Sequence, residues 1–212
     1  MPYSKIKEVK VRLWSNYDVR FVANDDVNVI VGINGSGKTT LLTEIYKLAI
    51  NNIDDKNQVV LIPSVDNIVI RDKRRTSNAL TQDLEFYIFD MKTGPSMMSY
   101  RMSMIDASVD RQAAMKARVE EFCSIVNNLF KETGKRIELE GNKFNVVSNG
   151  QILSVDALSS GEKQILLILL RVFLLDCKAS CVLLDEPENS LGLEGARWSN
   201  KIIQMKDIAT LI

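Results

Sequence analysis

Gly32-Ile33-Asn34-Gly35-Ser36-Gly37-Lys38-Thr39-Thr40 is the stretch on which the reading of the whole chain turns. The apolar run before it, Val27-Asn28-Val29-Ile30-Val31, reads as a short buried strand. The segment after it, Leu41 to Ile50, repeats its apolar residues at helical spacing. Strand, glycine-rich turn and helix is the setting in which Gly-x-x-x-x-Gly-Lys-Thr cradles phosphate. The glycines let the backbone curl until successive N–H groups point inward, and the helix N-terminus adds its partial positive charge. On this reading Asn34, Gly35, Ser36, Gly37, Lys38, Thr39 and Thr40 bind the phosphates of a nucleotide. Lys38 reaches the β- and γ-phosphates and the Thr39 hydroxyl holds Mg²⁺. The bland alternative is a tight turn followed by a chance lysine, and the flanking strand and helix argue against it.

A second piece of chemistry lies far downstream. Cys181-Val182-Leu183-Leu184-Asp185-Glu186-Pro187 is an apolar strand that ends in two carboxylates. At the carboxyl end of a strand beside a phosphate loop, Asp185 is placed to hold Mg²⁺, usually through water. Glu186 is placed to polarise a water for in-line attack on the γ-phosphate. Pro187 stops the strand and keeps the acids at its mouth. Taken alone, such a run is also what a strand meeting a turn looks like.

The third piece is Leu158-Ser159-Ser160-Gly161-Glu162-Lys163-Gln164, immediately before an apolar helix from Ile165 to Leu175. Ser159 and Glu162 have the spacing of a capping box, which needs no function. The same cap presents hydroxyls and free N–H groups at a helix N-terminus and so makes a second phosphate site. One nucleotide does not need two such sites from one chain. Two chains facing each other would use both.

Gly32 to Thr39, then Leu158 to Gln164, then Leu183 to Glu188 with Ser190-Leu191 soon after, form an ordered trio that resembles the ATP-binding-cassette ATPases. The run Leu-Ser-Ser-Gly-Glu-Lys-Gln followed by Asp-Glu-Pro-Glu is similar to their RecF, SMC and OLD-type branch, often described as AAA-type ATPases. The resemblance implies an α/β fold: a P-loop NTPase whose ABC-type core is a mixed sheet flanked by helices, with an inserted α+β arm. It implies ATP and Mg²⁺ as ligands and a head-to-tail homodimer. In that dimer ATP is sandwiched between Lys38 of one subunit and Ser159, Ser160, Gly161 and Glu162 of the other. Nucleotide state would then switch an effector protein or a DNA-linked activity. The family's glutamine falls best on Gln82 as a further Mg²⁺ contact, and its adenine-stacking aromatic on Tyr17 or Trp14.

Two departures from the family pattern matter. Gly192 stands where an acidic residue or histidine often follows Ser190-Leu191, and the chain contains no histidine for the family's switch position. That histidine lies on the strand after the one ending in Asp185, and in related folds this strand sits between the phosphate-loop strand and the acid strand. Either Ala209 to Ile212 begins it and a partner completes it, or the chain is a truncated form that binds ATP poorly. Unpaired central backbone groups cost on the order of 1–3 kcal/mol each. A nucleotide-binding regulatory module with little hydrolysis, or a fragment without function of its own, are therefore the competing readings.

The remaining sequence bounds the rest. At 212 residues the chain fits one domain, expected as a core of 1–75 and 155–212 with an arm at 76–154. Lys+Arg and Asp+Glu balance at 27 each, so no overall field draws it to nucleic acid or an acidic membrane. Arg71-Asp72-Lys73-Arg74-Arg75 is the one dense basic run, a solvated face or a contact for nucleic acid or an acidic partner. No apolar run is long enough to span a bilayer, no secretory signal is visible, and three cysteines fit a reducing cytoplasm better than a disulfide framework. Ile6–Leu13, Val19–Val22 and Val27–Val31 read as strands, the first two as an antiparallel pair leading into the phosphate loop. Gln58–Ile62 and Ile68–Ile70 read as further strands. Val109–Phe130 reads as a helix with Val119, Phe122, Ile125, Val126 and Leu129 on one face, ended by Gly134. Arg136–Glu140, Lys143–Val147 and Gln151–Ser154 read as a meander, with Asn149-Gly150 the strongest hairpin turn. Methionines crowd between Met91 and Met104, a composition suited to adaptable packing.

Overall fold

The computed structural model describes residues 8–24, 27–52, 59–62, 79–141, 143–175, 181–185 and 210–211. The chain divides into two compact units, residues 1–67 with 175–212, and residues 68–174. The expected arm of 76–154 lies within the second unit, which also takes in the helix after Ser159. Burial of that helix against its neighbours, not its place in the chain, assigns it there.

The first unit begins with an antiparallel hairpin, β1 (Glu8–Leu13) and β2 (Tyr17–Val22), in the register Val9↔Phe21 and Leu13↔Tyr17. Its turn holds Trp14 and Ser15 at φ 47° and 66°, with the Asn16 N–H donating to the Leu13 carbonyl. The Arg12 guanidinium clamps the open side of the turn to Asp18 at 2.7 Å. β3 (Val27–Asn28) leads to the glycine loop, and α1 (Lys38–Asn52) follows it. β4 (Val59–Ile62) and β8 (Cys181–Leu184) pair in parallel, Val59 opposite Cys181 and Ile62 opposite Leu184. β9 (Thr210–Leu211) completes a four-stranded sheet of order β3-β9-β8-β4.

β9 occupies the central slot. Thr210 pairs with Val27 on one side and Val182 on the other, and Leu211 with Asn28 and Leu183. Thr210 and Leu211 are the described residues of the segment expected to begin the strand in that gap. The expected buried strand Val27–Val31 needs correction. Only Val27–Asn28 is laddered, opposite the two described residues of β9, while Val29 and Val31 are 66% and 88% exposed. Ile30 turns inward against a core of Val9, Leu42, Ile45, Ala49, Val59, Cys181 and Leu183. α1 contributes Leu42, Ile45 and Ala49 to that core, the spacing of one helix face. Burial in this core pushes the Cys181 thiol up to about 12, so it behaves as a small apolar residue there.

The second unit is built from α2 (Ala79–Phe89), α3 (Met97–Ser103), α4 (Val109–Leu129), a meander of β5 (Lys135–Glu140), β6 (Lys143–Ser148) and β7 (Gln151–Leu153), and α5 (Ser160–Phe173). α5 packs on α2 and α4, and α4 also contacts β5. Leu166, Leu169, Leu170 and Phe173 of α5 are fully buried, and the Phe173 ring meets Tyr100 and Phe122 at 4.8 and 5.0 Å. Gly134 (φ 66°) supplies the left-handed residue that turns α4 into β5. Asn127 then ties the two elements together, accepting from the Ile137 N–H at 2.6 Å and donating to its carbonyl at 3.1 Å. Asn149 and Gly150 (φ 50° and 76°) close the β6–β7 hairpin. Of the clustered methionines, Met97 and Met98 are buried and Met91 and Met102 lie at the surface. Among the described residues no helix is long and apolar enough to cross a membrane.

Candidate functional site

In a parallel sheet the carboxyl ends of neighbouring strands open onto one edge, so a loop after one strand and an acid after another can face the same ligand. Here the glycine loop follows β3, and Asp185 follows β8. The Asp185 N–H extends the β4–β8 ladder by donating to the Ile62 carbonyl at 3.0 Å, which fixes the direction in which the acid leaves the strand.

The loop curls where the glycines permit it. Gly35 and Gly37 sit at φ 80° and 90°, and the Ser36 N–H donates to the Ile33 carbonyl at 3.1 Å. A Cβ on Gly32 would stand 2.6 Å from the Ser36 Oγ, so a larger residue there would require that hydroxyl to turn away. The Leu41 N–H to Gly37 carbonyl bond, 2.8 Å, starts α1 at the end of the loop. Helix geometry leaves the first N–H groups of α1 without intrahelical partners, pointing into the loop's concavity. Asn34, Gly35 and Ser36 are exposed at its rim, with Lys38, Thr39 and Thr40 forming the first turn of α1.

Lys38 folds over the loop, its ammonium donating to the carbonyls of Gly32 and Ile33 at 2.8 and 3.2 Å. The Thr39 hydroxyl meets the Asp185 carboxylate at 2.9 Å (Oδ2) and 3.1 Å (Oδ1). Thr43 braces this turn by donating to the Thr39 carbonyl at 2.8 Å. Asp185 is 5% exposed. A buried carboxylate beside a hydroxyl, both hard oxygen donors, matches what Mg²⁺ takes alongside phosphate oxygens and water. The residues therefore fit that ion and a nucleotide's phosphates. Glu186, Pro187, Gly192 and the basic run Arg71–Arg75 lie outside the described residues, as do Ile68–Ile70.

Trp14, 59% exposed, is the aromatic that touches this loop. A Cβ on Gly37 would come within 2.6 Å of the indole Cζ2 and closer still to Cη2, so the ring lies directly against the last glycine of the loop. Tyr17, the other aromatic singled out in the sequence, is largely exposed.

The second cluster of sequence-identified residues lies in the other unit and is described by itself. Ser159 is the N-cap of α5, and the capping box read from the sequence is formed. Its hydroxyl accepts from the Glu162 N–H at 3.2 Å, and Glu162 Oε2 accepts from the Ser159 N–H at 2.7 Å. Ser160 and Gly161 are the first helical residues, whose N–H groups have no partner inside the helix. Glu162 is buried, and its Oε2 also accepts from the Lys135 ammonium at 2.8 Å. Burial works against the charged carboxyl, but the contacts with Lys135, Thr133 and the Ser159 cap outweigh it and hold the group below its ordinary range. The sequence reading did not identify Lys135; nothing local marks a pair 27 residues apart. Gln82 is buried within α2.

The family model described as ABC transporter matches residues 19–189. No curated protein matches the chain. The matched span contains the phosphate loop, the α5 cap and the acid strand, and the chain belongs to the ABC transporter family, as an ATP-binding P-loop NTPase domain.

Proposed function

We propose that this chain is an ATPase of the RecF, SMC and OLD-like kind, whose ATP-driven head-to-tail dimerisation switches a partner protein or a DNA-linked activity. The observation that carries the reading is the meeting of the Thr39 hydroxyl and the Asp185 carboxylate at 2.9 Å. Lys38 leaves the loop carbonyls to bind the β- and γ-phosphates, and the N–H groups from Gly35 to Thr40 receive the remaining phosphate oxygens. Thr39 and Asp185 would hold Mg²⁺, which would supply charge neutralisation to the phosphates. Trp14 stacks on the adenine. Glu186 accepts the proton of the attacking water. Ser159, Ser160, Gly161 and Glu162 of a second copy close on the γ-phosphate, and their separation after hydrolysis opens the dimer.

MgATP affinity, turnover and association state of the wild type beside Lys38→Ala and Glu186→Gln test this. Lys38→Ala should lose binding. Glu186→Gln should bind ATP, lose turnover and accumulate as a dimer. A wild type that binds MgATP with turnover at background in every version would instead identify a nucleotide-binding regulatory module. Gly192, where the family often carries an acidic residue or histidine, favours that second reading. Well-folded wild type that does not bind MgATP would sink both.

A further inference from the structure

A carboxylate at the third residue of a helix is a good internal cap and a poor neighbour for a second anion. Glu162 takes the positive end of α5 for itself, and at the same turn Ser160 and Gly161 present the N–H groups that the proposed function aims at a phosphate. The two demands conflict unless the carboxylate is neutralised from behind.

Lys135 does this. Its ammonium stands 2.8 Å from Glu162 Oε2 and donates to the Ala157 carbonyl at 3.2 Å, so one side chain grips both sides of the Leu158-Ser159 turn. The pair is sheltered, with side-chain exposures of 19% and 7%. Lys135 is itself fixed: its N–H donates to the Phe130 carbonyl at 3.2 Å, and it pairs with Ser148 across the meander. Among the described residues Glu162 Oε1 has no hydrogen-bond partner, and the Thr133 hydroxyl beside the carboxylate favours its charged form while donating to the Phe130 carbonyl at 3.1 Å. The carboxylate thus depends on Lys135 for its charge partner. The Ser159 hydroxyl accepts from the Glu162 N–H, which leaves its own hydrogen free to donate outward.

We propose that Lys135 is a positioning residue for the phosphate-facing turn of α5. It holds and neutralises Glu162 so that Ser159, Ser160 and Gly161 can accept an anionic phosphate from a second copy of the chain. The inference rests on the proposed function. It adds a residue, and a reason the meander is joined to the cap, that the motifs do not contain.

The test compares wild type, Lys135→Met, Lys135→Arg, Glu162→Gln and the double variant Lys135→Met/Glu162→Gln as full-length chains. Nucleotide affinity, kcat, KM and ATP-dependent association are measured for each. Lys135→Met should lower kcat and dimer formation by about tenfold or more while changing nucleotide affinity by no more than about twofold. Lys135→Arg should keep most of the activity. The double variant, which removes both charges, should return to within about threefold of Glu162→Gln alone. Lys135→Met indistinguishable from an active wild type overturns the inference and leaves the proposed function standing. Wild type without turnover or ATP-dependent association overturns the proposed function and the inference with it. Should Lys135→Met not fold, the decision passes to the double variant against Glu162→Gln. Equal kcat in these two supports the role, and a tenfold drop on adding Lys135→Met refutes it.

Discussion

The hydroxyl of Thr39 donates to both carboxylate oxygens of Asp185, at 2.9 and 3.1 Å, although 146 residues separate them in the chain. Thr39 belongs to the first turn of α1 and Asp185 to the residue after β8, so the contact joins the two ends of the proposed ATP site that the sequence offered separately. Removing the hydroxyl by Thr39→Val should raise the Mg²⁺ concentration needed for half-maximal ATP binding by about tenfold or more. Thr39→Ser should leave it near wild type. Titration of Mg²⁺ against a fluorescent ATP analogue reads this, and identical Mg²⁺ dependence in all three proteins would falsify the assignment.

Gly37 is constrained twice, by its φ of 90° and by the Trp14 indole where a Cβ would go. Gly37→Ala should therefore abolish nucleotide binding or destabilise the unit by about 1–3 kcal/mol. Adding Trp14→Ala removes the clash but not the backbone strain, so the rescue should be partial. Full rescue would show that φ is unimportant there. In a Trp198→Phe background, where Trp14 is the one remaining tryptophan, its emission should change on adding MgATP.

Acid should weaken the α5 cap. Glu162 titrates below the ordinary 4.5 of a glutamate, so its contribution is fully present above that value and is lost as pH falls through the lower folded value. Asp18 and Asp90 are shifted in the same direction, by Arg12 and by the Thr93 donors respectively, so wild-type stability declines in acid for several reasons. The difference between wild type and Glu162→Gln isolates the one carboxylate. Their melting temperatures should lie furthest apart at neutral pH and converge as pH falls through the lowered folded value. A constant gap across that range counts against the assignment.

Phe173 is fully buried between Tyr100 and Phe122, with the Arg118 guanidinium 4.8 Å from its ring centroid. Phe173→Ala should cost about 3–5 kcal/mol in denaturant unfolding of the second unit. A loss below 1 kcal/mol would mean that the helix is not packed as described.

What could be read ahead of the structure was local. The glycine loop, the Ser159–Glu162 box, the Asn149-Gly150 turn and the amphipathic run of α4 each write their conformation into fewer than about eight successive residues or one repeating face. α2 left no such trace. It buries Leu80, Leu84 and Ile88 on one side and Thr81, Gln82 and Asp83 on the others, so polar and apolar positions do not separate along it. α3 is a single short helix whose cap, Ser96 with Ser99, lacks the acidic partner that usually marks one. Lys135 reaching Glu162, and Trp14 lying on Gly37, are products of folding alone.

α5 is gripped at both tips: Lys135 holds the carboxylate at its first turn, and the Arg118 guanidinium donates to the carbonyl of Phe173 at its last. A rod clamped at each end cannot swivel about its own serine. Reorienting Ser159 would break the Lys135 contact or carry β5 with it, so the meander and the cap are mechanically coupled.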